Sequence, residues 1–143
     1  MANVREVCEC IWRQVQPSLH AFADAISAEY PNLHQSISTY GTDAVPLQGF
    51  AIFRKSMHAA ANEDLVVRVW CERRENALRC SADIFAEVGE GADVSTVVVA
   101  DGPAAAFPID REDVGEPDAI DRWIDTVIAF TLANRDLAIR SLR

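Results

Sequence analysis

The strongest constraint on the fold is a pair of alternating segments in the middle of the chain. Residues 65–73 and 77–88 each place apolar side chains at every second position, and a polar turn at residues 74–76 separates them. A two-residue period over segments of this length is typical of β-strands that cover a core with one face. The two segments therefore predict an antiparallel β-hairpin.

The register of this hairpin follows from the chemistry of the facing side chains. Opposite residues in a hairpin have a constant sum of residue numbers, and a sum of 151 gives compatible partners throughout. The predicted pairs are Val66 with Phe85, Val67 with Ile84, Arg68 with Asp83, Val69 with Ala82, Cys71 with Cys80 and Glu72 with Arg79. A slip of one residue would bring opposite faces together, so the pattern favours this register alone.

The flanking segments predict a single α+β domain over residues 1–143. An apolar stripe with helical spacing covers residues 3–29, where Pro17 either kinks the helix or starts a second one. A second long amphipathic helix begins at residues 116–118 and extends toward Leu142. Together these patterns predict an antiparallel meander of four to five strands, flanked by long N-terminal and C-terminal amphipathic helices.

The further strands are predicted from shorter patterns. We expect strands at residues 50–56 and 94–100, a short strand at residues 36–40 and a connection over residues 57–64. The sequence Asp101-Gly102-Pro103 predicts a break, followed by a short edge strand at residues 104–109.

One face of the predicted sheet is apolar, but the other is mixed and has an open role. With Val88 opposite Val94, we expect Val97 and Val99 to join Trp70 and Phe85 on this second face. Three interpretations remain: the two helices cover opposite faces, the mixed face forms a homodimer, or it receives a different protein. Aromatic anchors inside a charged rim are typical of protein interfaces.

The net charge of the chain indicates which kinds of macromolecule it can bind. There are 22 acidic and 13 basic residues, which give a net charge of −9. Such a field repels phosphate backbones, so nucleic acid is not an expected partner. An acidic cluster near the second helix would suit a basic partner protein or simply a solvated loop. The residues of this cluster are Asp110, Glu112, Asp113, Glu116 and Asp118.

The motifs of known chemistry are missing from the sequence. Cys8 and Cys10 are two positions apart on a predicted helix, so their thiols diverge and do not predict zinc. Cys71 and Cys80 are either two buried small side chains or a redox pair. No nucleophile, phosphate-loop or metalloprotease motif occurs, so we predict no catalytic residue, metal or cofactor.

The first residues and the length of the apolar stretches indicate the cellular compartment that we expect for this protein. Residues 1–10 do not have the pattern of a signal peptide, and no apolar stretch reaches the roughly 18–20 residues that span a bilayer. We therefore expect a cytoplasmic protein with reduced cysteines and no membrane partner.

At the level of class, a small acidic chain with helix–sheet–helix order resembles bacterial immunity proteins and small acidic secretion chaperones. Both resemblances imply partner binding without catalysis. The chaperones usually have a helix between their strands, whereas residues 65–100 predict none.

The function that we expect is therefore a non-enzymatic protein-binding module. The alternative is a small enzyme or ligand-binding domain with a pocket between the sheet and a helix, lined by Trp12, Tyr40 and Trp123.

Overall fold

The strands of this protein form one antiparallel sheet in which each strand pairs with its neighbours in sequence order. The computed structural model describes residues 2–54, 61–90 and 93–142. The strands are β1 (His34–Tyr40), β2 (Leu47–Arg54), β3 (Ala61–Arg74), β4 (Ala77–Glu90), β5 (Asp93–Asp110) and β6 (Asp113–Val114). The helices are α1 (Val4–Glu29), α2 (Pro117–Ala133) and α3 (Arg135–Ser141). The α+β meander is confirmed, although the described sheet has six strands instead of four to five.

The central hairpin of β3 and β4 has the predicted register. The pairs run from Val66 opposite Phe85 to Glu72 opposite Arg79, as the constant sum requires. The two strands remain paired up to Arg74 and Ala77, so the connection has only two residues. Glu75 adopts a φ of 55° there, which matches the backbone twist of a tight hairpin.

The register between β4 and β5 differs from the prediction by one residue. Val88 pairs with Ser95 rather than with Val94. The reason is the length of the connection: the strands stay paired up to Glu90 and Asp93, whereas the prediction places a five-residue turn there. Since side chains alternate between faces, a slip of one residue moves each of them to the other face.

This slip and a further register shift, between Phe85 and Ile84, change the faces of two valines from the predicted ones. Val98 pairs with Phe85 and Val97 pairs with Ala86, while Val99 packs against the core. The prediction that Val97 and Val99 share the face of Phe85 is therefore wrong, and Val98 occupies that face instead.

β5 continues through residues 101–103, where the sequence predicts a break. Its pairing with β4 shifts between Ser81 and Asp83, so Gly102 and Pro103 together lie opposite one β4 residue in a bulge. A Cβ atom at Gly102 would collide with the carbonyl oxygen of Ala82. The bulge thus accommodates a proline inside the strand, and the predicted edge strand at residues 104–109 is the second half of β5.

The first two strands and the start of β3 extend beyond the predicted bounds. β1 begins at His34 and β2 at Leu47, which leaves residues 41–46 as their connection. The end of the strand predicted at residues 50–56 and the first half of the connection predicted at residues 57–64 lie outside the described residues. β3 begins at Ala61, so residues 61–64 of that predicted connection belong to a strand.

Both long helices cover the same face of the sheet. Phe22 of α1 packs on Phe53 of β2 with ring centroids 5.8 Å apart, and Trp123 of α2 packs edge-on against Phe107 of β5 at 6.4 Å. These residues belong to a single core with the inward side chains of β3 and β4. The interpretation with helices on opposite faces is therefore wrong.

The helices also differ in continuity from the predicted pattern. α1 is continuous through Pro17, whose side chain is exposed. The C-terminal segment, in contrast, is divided at Asn134 between α2 and α3. The Asn134 side chain donates to the carbonyl oxygen of Phe130 at 2.9 Å, which competes with the helical backbone pattern. The division lets Ala138 and Leu142 enter the core.

Candidate functional site

The side of the sheet opposite the helices carries the candidate site, which we call the open face. The alternation of side chains brings together residues from five neighbouring strands there. Its members are Tyr40, Phe50, Ile52, Val66, Arg68, Trp70, Asp83, Phe85 and Val98. No element in the described part of the chain packs over this face, and several of its large side chains are only half-buried.

Arg68 occupies the centre of the open face and holds its aromatic residues together. Its guanidinium lies 5.4 Å from the ring centroid of Trp70 and 5.2 Å from that of Phe85. It also donates two hydrogen bonds to Asp83, of 3.2 Å from Nε and 2.6 Å from Nη2. Because the charge is paired, the centre is a neutral, ordered aromatic platform and not a free cationic site.

Trp70 has an unusual polar atom for such a platform. Its Nε1 is shielded from solvent and has no hydrogen-bond acceptor among the residues that the structure describes. A buried donor without a partner costs about 1–3 kcal/mol relative to a satisfied one. Trp70 thus carries an unsatisfied hydrogen-bond donor on the open face, at a position that the sequence pattern predicts to be part of the interface.

An aromatic pair extends the open face toward the β1 edge. The rings of Tyr40 and Phe50 are stacked with centroids 6.1 Å apart, and the Tyr40 hydroxyl donates to Gln48 at 2.7 Å. Tyr40 is 56% exposed. The platform therefore ends in an accessible aromatic ring.

A second ion pair lies at the end of the open face that is farther from Tyr40. Arg54 donates from Nε and Nη2 to the two carboxylate oxygens of Asp64, both at 2.8 Å. The hydrogen bonds to Asp64, and the charge of Glu87 to a smaller extent, raise the pKa of Arg54. Asp64 is buried, so this pair gives the end of the face a fixed shape.

Two of the four predicted residues of the mixed face are brought together by the structure. Trp70 and Phe85 lie on either side of Arg68, whereas Val97 and Val99 lie on the other side of the sheet. The sequence pattern did not assign Phe50 or Tyr40 to this face, and it predicted Tyr40 only as a lining residue of a pocket. The alternation in β2 groups Phe50 with Ile52, but only the pairing of β2 with β3 assigns them to this face.

The predicted acidic cluster lies where β5, β6 and the start of α2 meet. Asp110, Glu112, Glu116 and Asp118 are exposed, and Asp113 is half-buried. Glu112 accepts two hydrogen bonds from Arg73, of 2.8 and 2.7 Å. The hydrogen bonds and charge of Arg73 lower the pKa of Glu112. At least one carboxylate of the cluster therefore joins the turn between β5 and β6 to β3.

A cleft of about 780 Å³ lies beside the open face, between the start of α1 and the β1–β2 connection. Trp12 and Tyr40 line it, as the ligand-binding alternative predicts, together with Arg73 and Glu112. Trp123 does not line this cleft, because it is buried against β5 and donates to the Pro103 carbonyl at 3.1 Å.

Three thiols meet beneath this cleft. Cys71 and Cys80 are opposite each other as predicted, and Cys8 of α1 also contacts Cys71. Burial, and then the hydrogen bonds to Cys8 and Cys80, raise the pKa of the Cys71 thiol well above its usual value. A thiol held protonated is a poor nucleophile and a poor metal ligand. Across the described ranges, no three metal-ligating side chains are grouped so as to hold a metal ion.

Comparison with known proteins gives no indication of the fold family or function of this chain. No protein-family model, curated protein or solved structure matches it. Among the described helices, none has an apolar stretch long enough to cross a lipid bilayer.

Proposed function

We propose that this chain is a non-enzymatic protein-binding module that holds its partner on the open face. The observation that carries the proposal is the aromatic platform of Trp70, Phe85 and Phe50, which lies on the face that the helices leave uncovered. Large apolar patches on a monomer surface mark interaction sites more often than chance exposure does.

The composition of the open face supports a protein partner. Tryptophan, tyrosine and arginine are enriched in the residues that dominate binding energies, and such anchors cluster at interface centres. Trp70 and Arg68 occupy the centre here, and Tyr40 lies at the edge. The ion pair with Asp83 holds Arg68 in place before binding, which lowers the entropy cost of association.

Charge around the platform favours a partner with a basic rim. The central arginines are paired with acids, and further carboxylates of Glu87 and Asp101 lie opposite Asp64 and Asp83 across the sheet. The whole chain carries a net charge of −9, so a basic partner would be attracted over a distance. We place this interaction in the cytoplasm, in keeping with four unpaired cysteines.

The test is partner capture from the native lysate with a photo-cross-linking residue at Ser81, next to Trp70 in the sheet. A matched cross-linker at Leu132, exposed on α2, reports nonspecific capture. The protein captured at Ser81 alone is then purified and its affinity measured. We expect Trp70→Ala and Phe85→Ala, verified as folded by circular dichroism, to weaken binding by about 30-fold or more each.

Two results would contradict the proposal. One is a purified partner that binds the folded Trp70→Ala variant as tightly as the original chain. The other is complete unfolding of both Trp70→Ala and the milder Trp70→Phe, which would make the platform part of the core.

The second candidate function is ligand binding in the cleft beside α1. Its volume of about 780 Å³ is within the usual range for small-molecule sites. Trp12 provides an aromatic wall, and the ion pair of Arg73 with Glu112 provides polar groups. A metabolite that raises the melting temperature of the original chain, but not of Thr39→Trp, would support this function. Thr39 is exposed and lines the cleft, so tryptophan there obstructs the space.

A further inference from the structure

The outer edge of β5 is a second surface of interest, separate from the open face. β4 pairs with one edge of β5, whereas β6 pairs with the other edge only at Ile109 and Asp110. In the described residues, the backbone of residues 93–102 forms hydrogen bonds only with β4. The next residue, Pro103, accepts one from Trp123 through its carbonyl oxygen. Within the part of the chain that the structure describes, the outward donors and acceptors of residues 93–98 therefore have no partner.

The first part of this edge is uncovered on both faces as well. Val97 is 54% exposed on the helix side of the sheet, and Val98 is 57% exposed on the open face. Ser95 and Thr96 are also exposed. α2 contacts β5 further along, where Trp123 and Phe130 lie against the bulge at residues 102–103. Among the described residues, no helix therefore obstructs the approach of a partner strand to residues 95–98.

The sequence of this edge is well suited to strand pairing. Residues 94–100 read Val-Ser-Thr-Val-Val-Val-Ala, which contains no charge, proline or glycine. β-branched residues favour strands, and natural edge strands are usually protected by lysine or proline. The pairing of β5 with β4 shifts between Val98 and Ala100, so the regular part of this edge is residues 93–98. The opposite edge, β1, reads His-Gln-Ser-Ile-Ser-Thr-Tyr and is almost entirely polar.

Self-complementarity identifies a second copy of the chain as the occupant. The net charge of −9 opposes contact between two copies elsewhere, but residues 94–100 carry no charge and can approach the same strip of a second copy. Antiparallel pairing of this strip with itself satisfies both free edges at once, as a two-fold symmetric contact requires. The helices then lie on the same side of a sheet that continues through both copies.

The irregularity at Val99 limits the register. Pairing of β5 with β4 is regular over residues 93–98 and shifts between Val98 and Ala100. A two-fold axis through Thr96 keeps the central pairs within this regular part. It pairs Thr96 with itself, a favourable cross-strand combination, and Ser95 with Val97.

We propose that two copies of this chain form a dimer by antiparallel pairing of their β5 edges, with the two-fold axis at Thr96. The open face stays uncovered in this dimer, so the inference is independent of the proposed partner binding. Failure of either one leaves the other intact.

The test is the mass in solution, by light scattering over a concentration series of the full chain. We expect a dimer of twice 15.7 kDa that dissociates on dilution. Thr96→Lys and Val97→Lys point to opposite faces of one strand, and each should weaken the dimer about tenfold or more. Ser36→Lys, exposed on the β1 edge, makes the same charge change and should leave dissociation unchanged.

Hydrogen exchange gives the second measurement. In an edge-paired dimer, alternate amides of residues 93–98 become protected as the concentration rises. A chain that stays monomeric over the series overturns the proposal. A dimer that responds only to Trp70→Ser, or whose amides at residues 93–98 exchange at the same rate at all concentrations, overturns it equally.

Discussion

Arg68 and Asp83 lie directly opposite each other on β3 and β4 and form a two-point ion pair, with its shorter bond at 2.6 Å. The pair is partly exposed, with side-chain exposures of 35% and 21%. Arg68 also lies between two aromatic rings. One residue thus links the strand register to the shape of the open face.

Replacement of Arg68 should therefore cost more than replacement of an ordinary surface arginine. Arg68→Ala leaves the half-buried Asp83 without its partner and exposes Trp70 and Phe85, so we expect a loss of about 1–3 kcal/mol. Arg5→Ala is the matched control, because Arg5 forms an exposed pair with Glu9 within one helix. Urea denaturation of both variants measures the difference. Equal losses would mean that the Arg68 contacts do not stabilise the fold.

The bulge in β5 makes a specific prediction at Gly102. Gly102→Ala places a Cβ atom against the Ala82 carbonyl, so the backbone has to move and we expect a destabilisation of about 1–3 kcal/mol. Gly115→Ala is the control, because its Cβ would lie 3.4 Å from the Pro108 ring, an ordinary contact. The melting temperatures of the two variants measure the difference. A Gly102→Ala protein as stable as Gly115→Ala would contradict the close contact between Gly102 and the Ala82 carbonyl.

Pro17 offers a way to stabilise the protein. Since α1 is continuous through this exposed position, the proline removes one backbone hydrogen bond inside a helix of 26 residues. Pro17→Ala restores the donor and a favourable helix residue, so we expect a gain of about 1–3 kcal/mol in the free energy of unfolding. Gln14→Ala, at another exposed position of α1, should change stability by less than about 0.5 kcal/mol. A destabilised Pro17→Ala protein would indicate that the proline shapes α1 for packing.

The pair between Arg73 and Glu112 predicts a pH dependence. Arg73 lowers the pKa of Glu112 below its usual value of 4.5, so the folded state favours the ionised carboxylate. The resulting stability is present above that usual value and is lost as the pH falls through the lowered pKa. Glu112→Gln removes it, so the stability difference from the original chain should be largest near neutral pH and should shrink on acidification.

Denaturation midpoints along a pH series measure this difference. Glu29→Gln, at the exposed end of α1, makes the same change of charge without the Arg73 contact. A constant difference between Glu112→Gln and the original chain at every pH would contradict the role of the pair.

Local patterns were sufficient for the elements whose partners are close in sequence. The hairpin of β3 and β4 was predicted pair by pair, because opposite charges such as Arg68 and Asp83 are chemically compatible in one register only. The predicted register of the next hairpin, between β4 and β5, was wrong by one residue. Consecutive valines such as Val97 and Val98 fit either register equally well. Only the length of the connection decides between the two.

The sequence by itself determined the strand and helix periods, the α+β class and the presence of a mixed sheet face with Trp70 and Phe85. The tertiary structure decided that both helices cover the other face, that Phe50 and Val98 join the open face and that β6 pairs with β5 only at Ile109 and Asp110. The physical reason is that side-chain periodicity is local and records only that a face is apolar. Which face a helix covers depends on packing between distant segments, as in the contacts of Phe22 with Phe53 and of Trp123 with Phe107.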